Sequence, residues 1–80
     1  MRLDKYLKVS RIIKRRTVAN EACDAGKVTV NDKIARASYD VKVGDVIGIT
    51  MGAKSIKIRV LTVKDVVRKE EADTMYEAVL

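Results

Sequence analysis

The chain has 80 residues, enough for one small domain, with 17 Lys or Arg against 11 Asp or Glu. It has no His, which removes the usual general base and zinc ligand, and the single Cys23 excludes an internal disulfide or a cysteine-based zinc site. The sequence has no apolar run long enough to span a membrane, and no apolar segment follows the basic N-terminus as in a signal peptide. We therefore expect a cytoplasmic, non-enzymatic protein with no catalytic residues, metal, cofactor or membrane partner.

The first predicted helix covers about residues 2–10. Its apolar face follows the spacing i, i+3, i+4, i+7, with Leu3, Tyr6, Leu7 and Ser10. Tyr6 is therefore expected in the core. On the same helical wheel Asp4 lies on the opposite face, where it can pair with Lys8 one turn later.

A second helix is predicted at about residues 14–25, after a short connection that makes a helix–turn–helix-like corner. Its apolar stripe consists of small side chains, namely Val18, Ala19, Ala22 and Cys23. Gly26 follows, where a left-handed residue commonly ends a helix. Cys23 is expected to be a small buried side chain and not a nucleophile, because no His is present to activate it.

Beyond residue 26 the apolar period changes from helical spacing to two, which predicts strands. Val28 and Val30 form the first strand, and a tight turn at Asn31 and Asp32 leads to a return strand. Further strands are expected at about residues 46–49 and 56–62, with a hairpin loop between them. A third helix is predicted at about residues 70–80, because its apolar positions have helical spacing: Ala72, Met75, Tyr76, Val79 and Leu80.

The net charge of +6 is concentrated in the first quarter of the chain. Residues 1–20 contain seven basic residues and only Asp4 as an acid, whereas residues 21–80 contain ten of each sign. The seven are Arg2, Lys5, Lys8, Arg11, Lys14, Arg15 and Arg16. Like charges at this density destabilise a fold unless a polyanion neutralises them. The last three open the second predicted helix, where side-chain charge, free N–H groups and the helix dipole together favour phosphate binding.

The aromatic content bears on the kind of polyanion. The chain has three Tyr and no Phe or Trp, whereas modules for single-stranded nucleic acid usually stack bases on several aromatic rings. Tyr39 lies in a predicted loop and is a candidate for stacking. A folded, helical RNA or DNA, bound through its backbone and shape, is therefore the expected target.

Three alternatives remain open at this level. The patch can be a solvated surface that only keeps the protein dissolved. A DNA-binding helix–turn–helix module is disfavoured because the second helix presents Asn20, Glu21 and Asp24 outward, and acids there repel phosphate. A membrane-surface or protein-docking helix is disfavoured because the first helix lacks Trp and Phe and its apolar face is narrow.

Several short motifs occur in a specific order over about residues 2–50: Arg2-Leu3-Asp4, Leu7, Arg16, Ala19, Gly26, Val28, Val30-Asn31 and Val43-Gly44-Asp45-Val46-Ile47. This pattern resembles the RNA-binding domain named after small-subunit ribosomal protein S-four, also called the alpha-L motif. The resemblance implies an α+β fold with two N-terminal helices packed on a small, twisted, mostly antiparallel sheet. With a hairpin and a C-terminal helix over about residues 51–80, the chain is predicted to form a single RNA-binding domain. The family commonly has Gly where Asp32 stands, so a different turn type is expected there.

Over nearly its whole length the chain resembles compact, stand-alone members of this family that act in bacterial ribosome-associated quality control. That resemblance implies a monomeric factor that binds the large ribosomal subunit carrying peptidyl-tRNA and contacts large-subunit rRNA and the tRNA. It also implies that the factor holds the tRNA in the P site and supports alanine tailing by RqcH. A more distant resemblance, to the fifteen-kilodalton heat-shock protein of the family, implies the alternative of recycling stalled large subunits.

The resemblance also implies which residues contact RNA. By motif position, Arg2 and Arg16 are the first candidates for rRNA contact, and Asp4 is expected to orient one of these arginines. The cations expected to supply further phosphate contacts are Lys5, Lys8, Arg11, Lys14 and Arg15.

Overall fold

The computed structural model describes residues 1–79 and contains two α-helices, five strands and one 3₁₀ helix. In chain order these are α1 (Leu3–Val9), α2 (Arg16–Asp24), β1 (Val28–Val30), β2 (Lys33–Ile34), β3 (Val46–Met51), β4 (Lys54–Val60), the 3₁₀ helix (Lys69–Thr74) and β5 (Tyr76–Ala78). The strands form one antiparallel sheet in the order β2-β1-β3-β4-β5. The predicted α+β class is confirmed.

The two α-helices bury the faces that their apolar periodicity predicts. Leu3, Tyr6 and Leu7 of α1 have no exposed surface. In the small stripe predicted for α2, Ala19, Ala22 and Cys23 are buried in the same core as the sheet residues, whereas Val18 is 37% exposed. Burying three full-sized side chains from α1 contributes several kcal/mol, at about 1.5–3 kcal/mol each. The helices are therefore fixed to the sheet by packing, and their polar faces are presented from a rigid base.

A sharp corner joins the two helices. Arg11 follows the last turn of α1 with a φ of 62°, a left-handed conformation that favours glycine. Its N–H donates to the Lys8 carbonyl oxygen at 3.0 Å, and the Ile13 N–H donates to that of Leu7 at 3.0 Å. The side chain of Ile13 is buried, so the corner is anchored in the core while Arg11 is exposed.

The sheet follows the predicted alternation in β1 and β3, and cross-strand pairs such as Val30 with Ile47 place buried residues opposite one another. In β4, which ends at Val60, only Ile58 and Val60 are buried, and Ile56 is 45% exposed. At the β1–β2 turn, Asn31 and Asp32 have φ values of 52° and 68°. Two positive values are what a two-residue type I′ turn requires. The expectation of a different turn type is therefore wrong, because Asp adopts the left-handed region here in place of the favoured Gly.

The predicted C-terminal helix is wrong. Residues 69–74 form the 3₁₀ helix, and Tyr76–Ala78 then pair with β4 as the edge strand β5. Met75 is fully buried, as its spacing predicts, but it anchors a turn into the sheet and not a helix. Pairing with β5 satisfies the backbone N–H and C=O groups along the edge of β4, which would face water if residues 76–78 formed a helix. The Arg59–Glu77 ion pair at 2.7 Å also joins the two strands. Leu80, the last residue of the predicted helix, lies outside the described residues.

Candidate nucleic-acid interface

The start of α1 is held by the loop that follows β2. The Leu3 N–H donates to the Tyr39 carbonyl oxygen at 2.8 Å, and the Asp4 N–H donates to that of Ala37 at 3.2 Å. Arg2 forms an isolated bridge with Asp40 in the same antiparallel arrangement. The first amides of this helix are therefore occupied by backbone carbonyls, and Arg2 is fixed beside the loop.

A buried carboxylate lies at the centre of the basic surface. Asp4 is only 2% exposed and accepts hydrogen bonds from both arginines that the motif singles out. Arg2 donates through Nε to Oδ1 and through Nη2 to Oδ2, each at 3.2 Å, and Arg16 Nη2 lies 3.5 Å from Oδ1. The Lys5 amide at 2.8 Å and Asn20 Nδ2 at 3.2 Å complete the shell. We call this set, Arg2, Asp4, Arg16 and Asn20, the Asp4 network.

The environment keeps Asp4 ionised. Burial by itself raises the pKa of a carboxyl group, but here the hydrogen bonds from Arg2, Asn20 and the Lys5 amide, together with the charge of Arg16, outweigh burial. The pKa of Asp4 is therefore lowered from its usual 3.8. At neutral pH the network thus contains one negative and two positive charges.

The two arginines remain available to a ligand. Their side chains are 50% and 49% exposed. Within residues 1–79, Arg2 uses two of its five N–H donors and Arg16 uses one. A guanidinium whose orientation is already set loses less conformational freedom when it binds a phosphate in the bidentate geometry that arginine favours. The network thus holds two half-exposed guanidinium groups in fixed orientations.

The other predicted cations are arranged less tightly. Lys8, Arg11, Lys14 and Arg15 are exposed, and none of them forms an ion pair within the described part of the chain. Lys5 pairs with Asp65 at 3.1 Å, in the segment after β4. The predicted Asp4–Lys8 pair does not form, because Asp4 turns toward Arg2 and Arg16.

The start of α2 differs from the prediction by two residues. The helix begins at Arg16, while Arg15 is its extended N-cap and Lys14 precedes it. Arg15 makes no side-chain cap, so no side chain of the N-cap residue competes for the first amides of the helix. Side-chain charge and the positive end of the helix dipole therefore coincide at Arg16.

Sequence reasoning missed Asn20, which it placed with the outward-facing residues of α2. Its position is four residues after Arg16, which puts both on one helix face, and this spacing is the signal that could have revealed it.

Cys23, also in α2, is buried as predicted. Burial first, and then the nearby charges of Asp4 and Asp24, raise the pKa of this thiol to about 11, so it is protonated at neutral pH.

Two further findings concern residues 1–79. They contain no cluster of three side chains of the types that ligate metals. None of their helices has the length and apolar character needed to cross a membrane.

The family is shown by comparison with known proteins. The model of the S4 domain family matches residues 1–47, so the chain belongs to that family of RNA-binding domains. Over 77 residues it is 54% identical to the RQC P-site tRNA stabilizing factor of Halalkalibacterium halodurans, covering 96% of this chain and 88% of the relative. The factor of the same name from Streptococcus pneumoniae is 54% identical over 79 residues, covering 99% and 90%. Within the S4 family, the chain therefore belongs with the RQC P-site tRNA stabilizing factors.

A more distant relative, the heat shock protein 15 homolog of Haemophilus influenzae, is 32% identical over 78 residues, covering 96% of this chain and 60% of that protein. Solved structures agree with the fold. Heat shock protein 15 of Vibrio cholerae, described as trimeric, matches with a TM-score of 0.92 and 31% identity over 99% of this chain and 81% of its own. The solution structure of the hypothetical protein HP1423 matches with a TM-score of 0.85 and 28% sequence identity, over 100% of this chain and 98% of its own.

Proposed function

We propose that this protein is a non-enzymatic, cytoplasmic RNA-binding factor of ribosome-associated quality control. It binds the large ribosomal subunit that carries peptidyl-tRNA, contacts rRNA and tRNA, and stabilises the tRNA in the P site. In this role it acts as a monomer and supports alanine tailing by RqcH. The names of its relatives support the assignment to quality control, and the S4 domain supports binding to RNA.

The observation that carries the proposal is the buried Asp4 carboxylate that contacts both Arg2 and Arg16. A surface that served only to keep the protein dissolved would gain nothing from fixing the direction of two cations. A ligand with phosphates at defined positions does gain, because the arginines are already oriented when it arrives. The exposed cations around the network, from Lys8 to Arg15, then add less directed attraction to the RNA backbone.

The proposed contact can be tested by co-sedimentation with purified large subunits that carry peptidyl-tRNA. Arg16→Ala is expected to weaken binding about tenfold and to lower the slope of log affinity against log salt by about one. Its free energy of unfolding should change by only about 0.5 kcal/mol, since Arg16 is half exposed and its 3.5 Å contact is the longest in the network. Unchanged binding of Arg16→Ala would refute the role of the network.

A matched control is available in Lys54→Ala. Lys54 is an exposed lysine at the start of β4, and it forms no ion pair within the described residues. The substitution removes the same charge from a position that is not part of the Asp4 network, so binding of Lys54→Ala should stay within about twofold of wild type. An equal loss in both variants would indicate net charge, and not the network, as the source of affinity.

A second candidate function is recycling of stalled large subunits, as the resemblance to the heat-shock member implies. The backbone match to heat shock protein 15, with a TM-score of 0.92, favours it. The two functions differ in a reconstituted reaction with RqcH and stalled large subunits. Quality control predicts shorter or absent alanine tails when the factor is omitted. Unchanged tails, with altered release of the stalled tRNA, would instead support recycling.

A further inference from the structure

Two neighbouring depressions share lining residues from the segment 34–38. The first has a volume of about 570 Å³ and reaches Arg2 and Asn20. The second has a volume of about 650 Å³ and reaches Lys33 and Tyr39. Both are lined by Arg36. Their volumes are within the range of small-ligand sites, and the second depression is lined by no residue of the Asp4 network.

The segment shared by the depressions is held in place by backbone hydrogen bonds. The Ala35 N–H donates to the Val28 carbonyl oxygen at 3.1 Å, and the Tyr39 N–H donates to that of Arg36 at 3.0 Å. At the far end of this segment, the carbonyl oxygens of Ala37 and Tyr39 accept hydrogen bonds from the first amides of α1. The segment is therefore a fixed part of the same surface as Arg2.

The ring of Tyr39 is also fixed. Its hydroxyl donates to Oδ2 of Asp45 at 2.9 Å, and Asp45 is 9% exposed. Asn31 Nδ2 and the Lys42 amide donate to the same carboxylate at 3.2 and 3.0 Å. These hydrogen bonds fix the hydroxyl end of a half-buried ring that packs against the core and also lines the second depression.

The chemistry of the second depression differs from that of the Asp4 network. Ile34, which lines both depressions, is 72% exposed, and Lys33 and Arg36 form no ion pair within residues 1–79. No acidic side chain lines it, whereas Asp24 lines the first depression. An exposed apolar side chain, an aromatic ring and two cations without ion pairs in one depression are suited to the flat face of a base and its flanking phosphates.

We propose that the second depression binds one unpaired nucleotide of the bound RNA. The base packs on Ile34 and Tyr39, and Lys33 and Arg36 bind the adjacent phosphates. A continuous double helix does not fit this chemistry, because its bases are stacked and it presents mainly phosphates and sugars. The inference rests on the proposed function, because it extends the proposed RNA-binding surface from Arg2 along residues 33–39. It adds contact with one unpaired base to a target that is otherwise bound through its backbone.

The test compares Ile34→Ser and Arg36→Ala with Lys54→Ala and Arg16→Ala in co-sedimentation with purified large subunits. Ile34→Ser should weaken binding about threefold to tenfold with an unchanged salt slope, because it removes apolar contact and no charge. Arg36→Ala should weaken binding by a similar factor and lower the slope by about one. Both side chains are exposed, so the melting temperatures should stay near the wild-type value.

Chemical acylation of 2′-hydroxyls in the bound subunit identifies the nucleotide. One unpaired nucleotide should lose reactivity with the wild-type protein and regain it with Ile34→Ser. Wild-type binding by Ile34→Ser, or no protected unpaired nucleotide, would overturn the inference. If Arg16→Ala still binds the large subunit more weakly than wild type, the proposed function stands although the inference about the second depression fails. If Arg16→Ala also binds normally, the proposed function itself fails.

Discussion

The sharpest structural prediction concerns Asp4→Asn, which changes one atom of a buried group. Asn retains one acceptor, at the position of either Oδ1 or Oδ2, and places an NH₂ donor at the other. If the oxygen stays at Oδ1, the NH₂ group faces Arg2 Nη2 and Asn20 Nδ2, which are themselves donors. In the flipped orientation it faces the Lys5 amide and Arg2 Nε. In either orientation, at least two hydrogen-bond donors lose their acceptor.

The cost follows from these contacts. Two hydrogen bonds to a charged acceptor are lost, each worth about 1.5–3 kcal/mol when fully buried. The Arg2 guanidinium is half exposed and can bind water instead, so its share is smaller. We expect a loss of about 2 kcal/mol, which for a domain of this size lowers the melting temperature by roughly 8–16 °C.

Circular dichroism melting at neutral pH, with Asp73→Asn as control, measures this effect. Asp73 is an exposed acid in the 3₁₀ helix, so its loss should have little effect. The pKa of Asp4 is lowered in the folded state, so its stabilisation is present above the usual value of 3.8 and is lost as pH falls below it. The gap between wild type and Asp4→Asn should therefore close in acid. A neutral-pH melting temperature within about 2 °C of wild type would refute the reasoning.

Two further predictions concern the fold. Met75→Asp should unfold or loosen the domain, because Met75 is fully buried and a carboxylate there would cost several kcal/mol; a wild-type melting curve would contradict the core position of this residue. Arg11→Gly should raise stability by about 0.5 kcal/mol, since glycine relieves the left-handed strain at φ 62° but costs some unfolded-state entropy. The same substitution should weaken RNA binding, and a lowered melting temperature would show that the Arg11 backbone is not strained.

Most of the fold could be predicted because its elements obey local rules. The apolar face of α1, the small stripe of α2 and the alternation in β3 all reflect burial on one side. The C-terminal segment could not, because its helical spacing at Ala72 and Met75 is outweighed by pairing of Tyr76–Ala78 with β4. That pairing depends on an open sheet edge distant in sequence, which local periodicity does not reveal.

The candidate site could likewise be predicted only in part. Charge concentration identified the basic surface, and the family resemblance singled out Arg2, Asp4 and Arg16. The helical wheel alone placed Asp4 on the solvent face, which is wrong, because the charges of Arg2, before α1, and Arg16, in α2, converge on Asp4 and offset its burial. The role of Asn20 in the network also depends on the packing of two helices, so spacing alone could suggest it but not establish it.

We propose that the surface around Asp4 binds the large subunit and its tRNA. Crosslinking in cells, followed by sequencing of the RNA recovered with wild-type protein and with Arg16→Ala, tests it most directly. We predict recovery of tRNA together with one site in large-subunit rRNA, both reduced in the variant. Recovery of small-subunit rRNA or mRNA instead, or equal recovery with Arg16→Ala, would contradict the account.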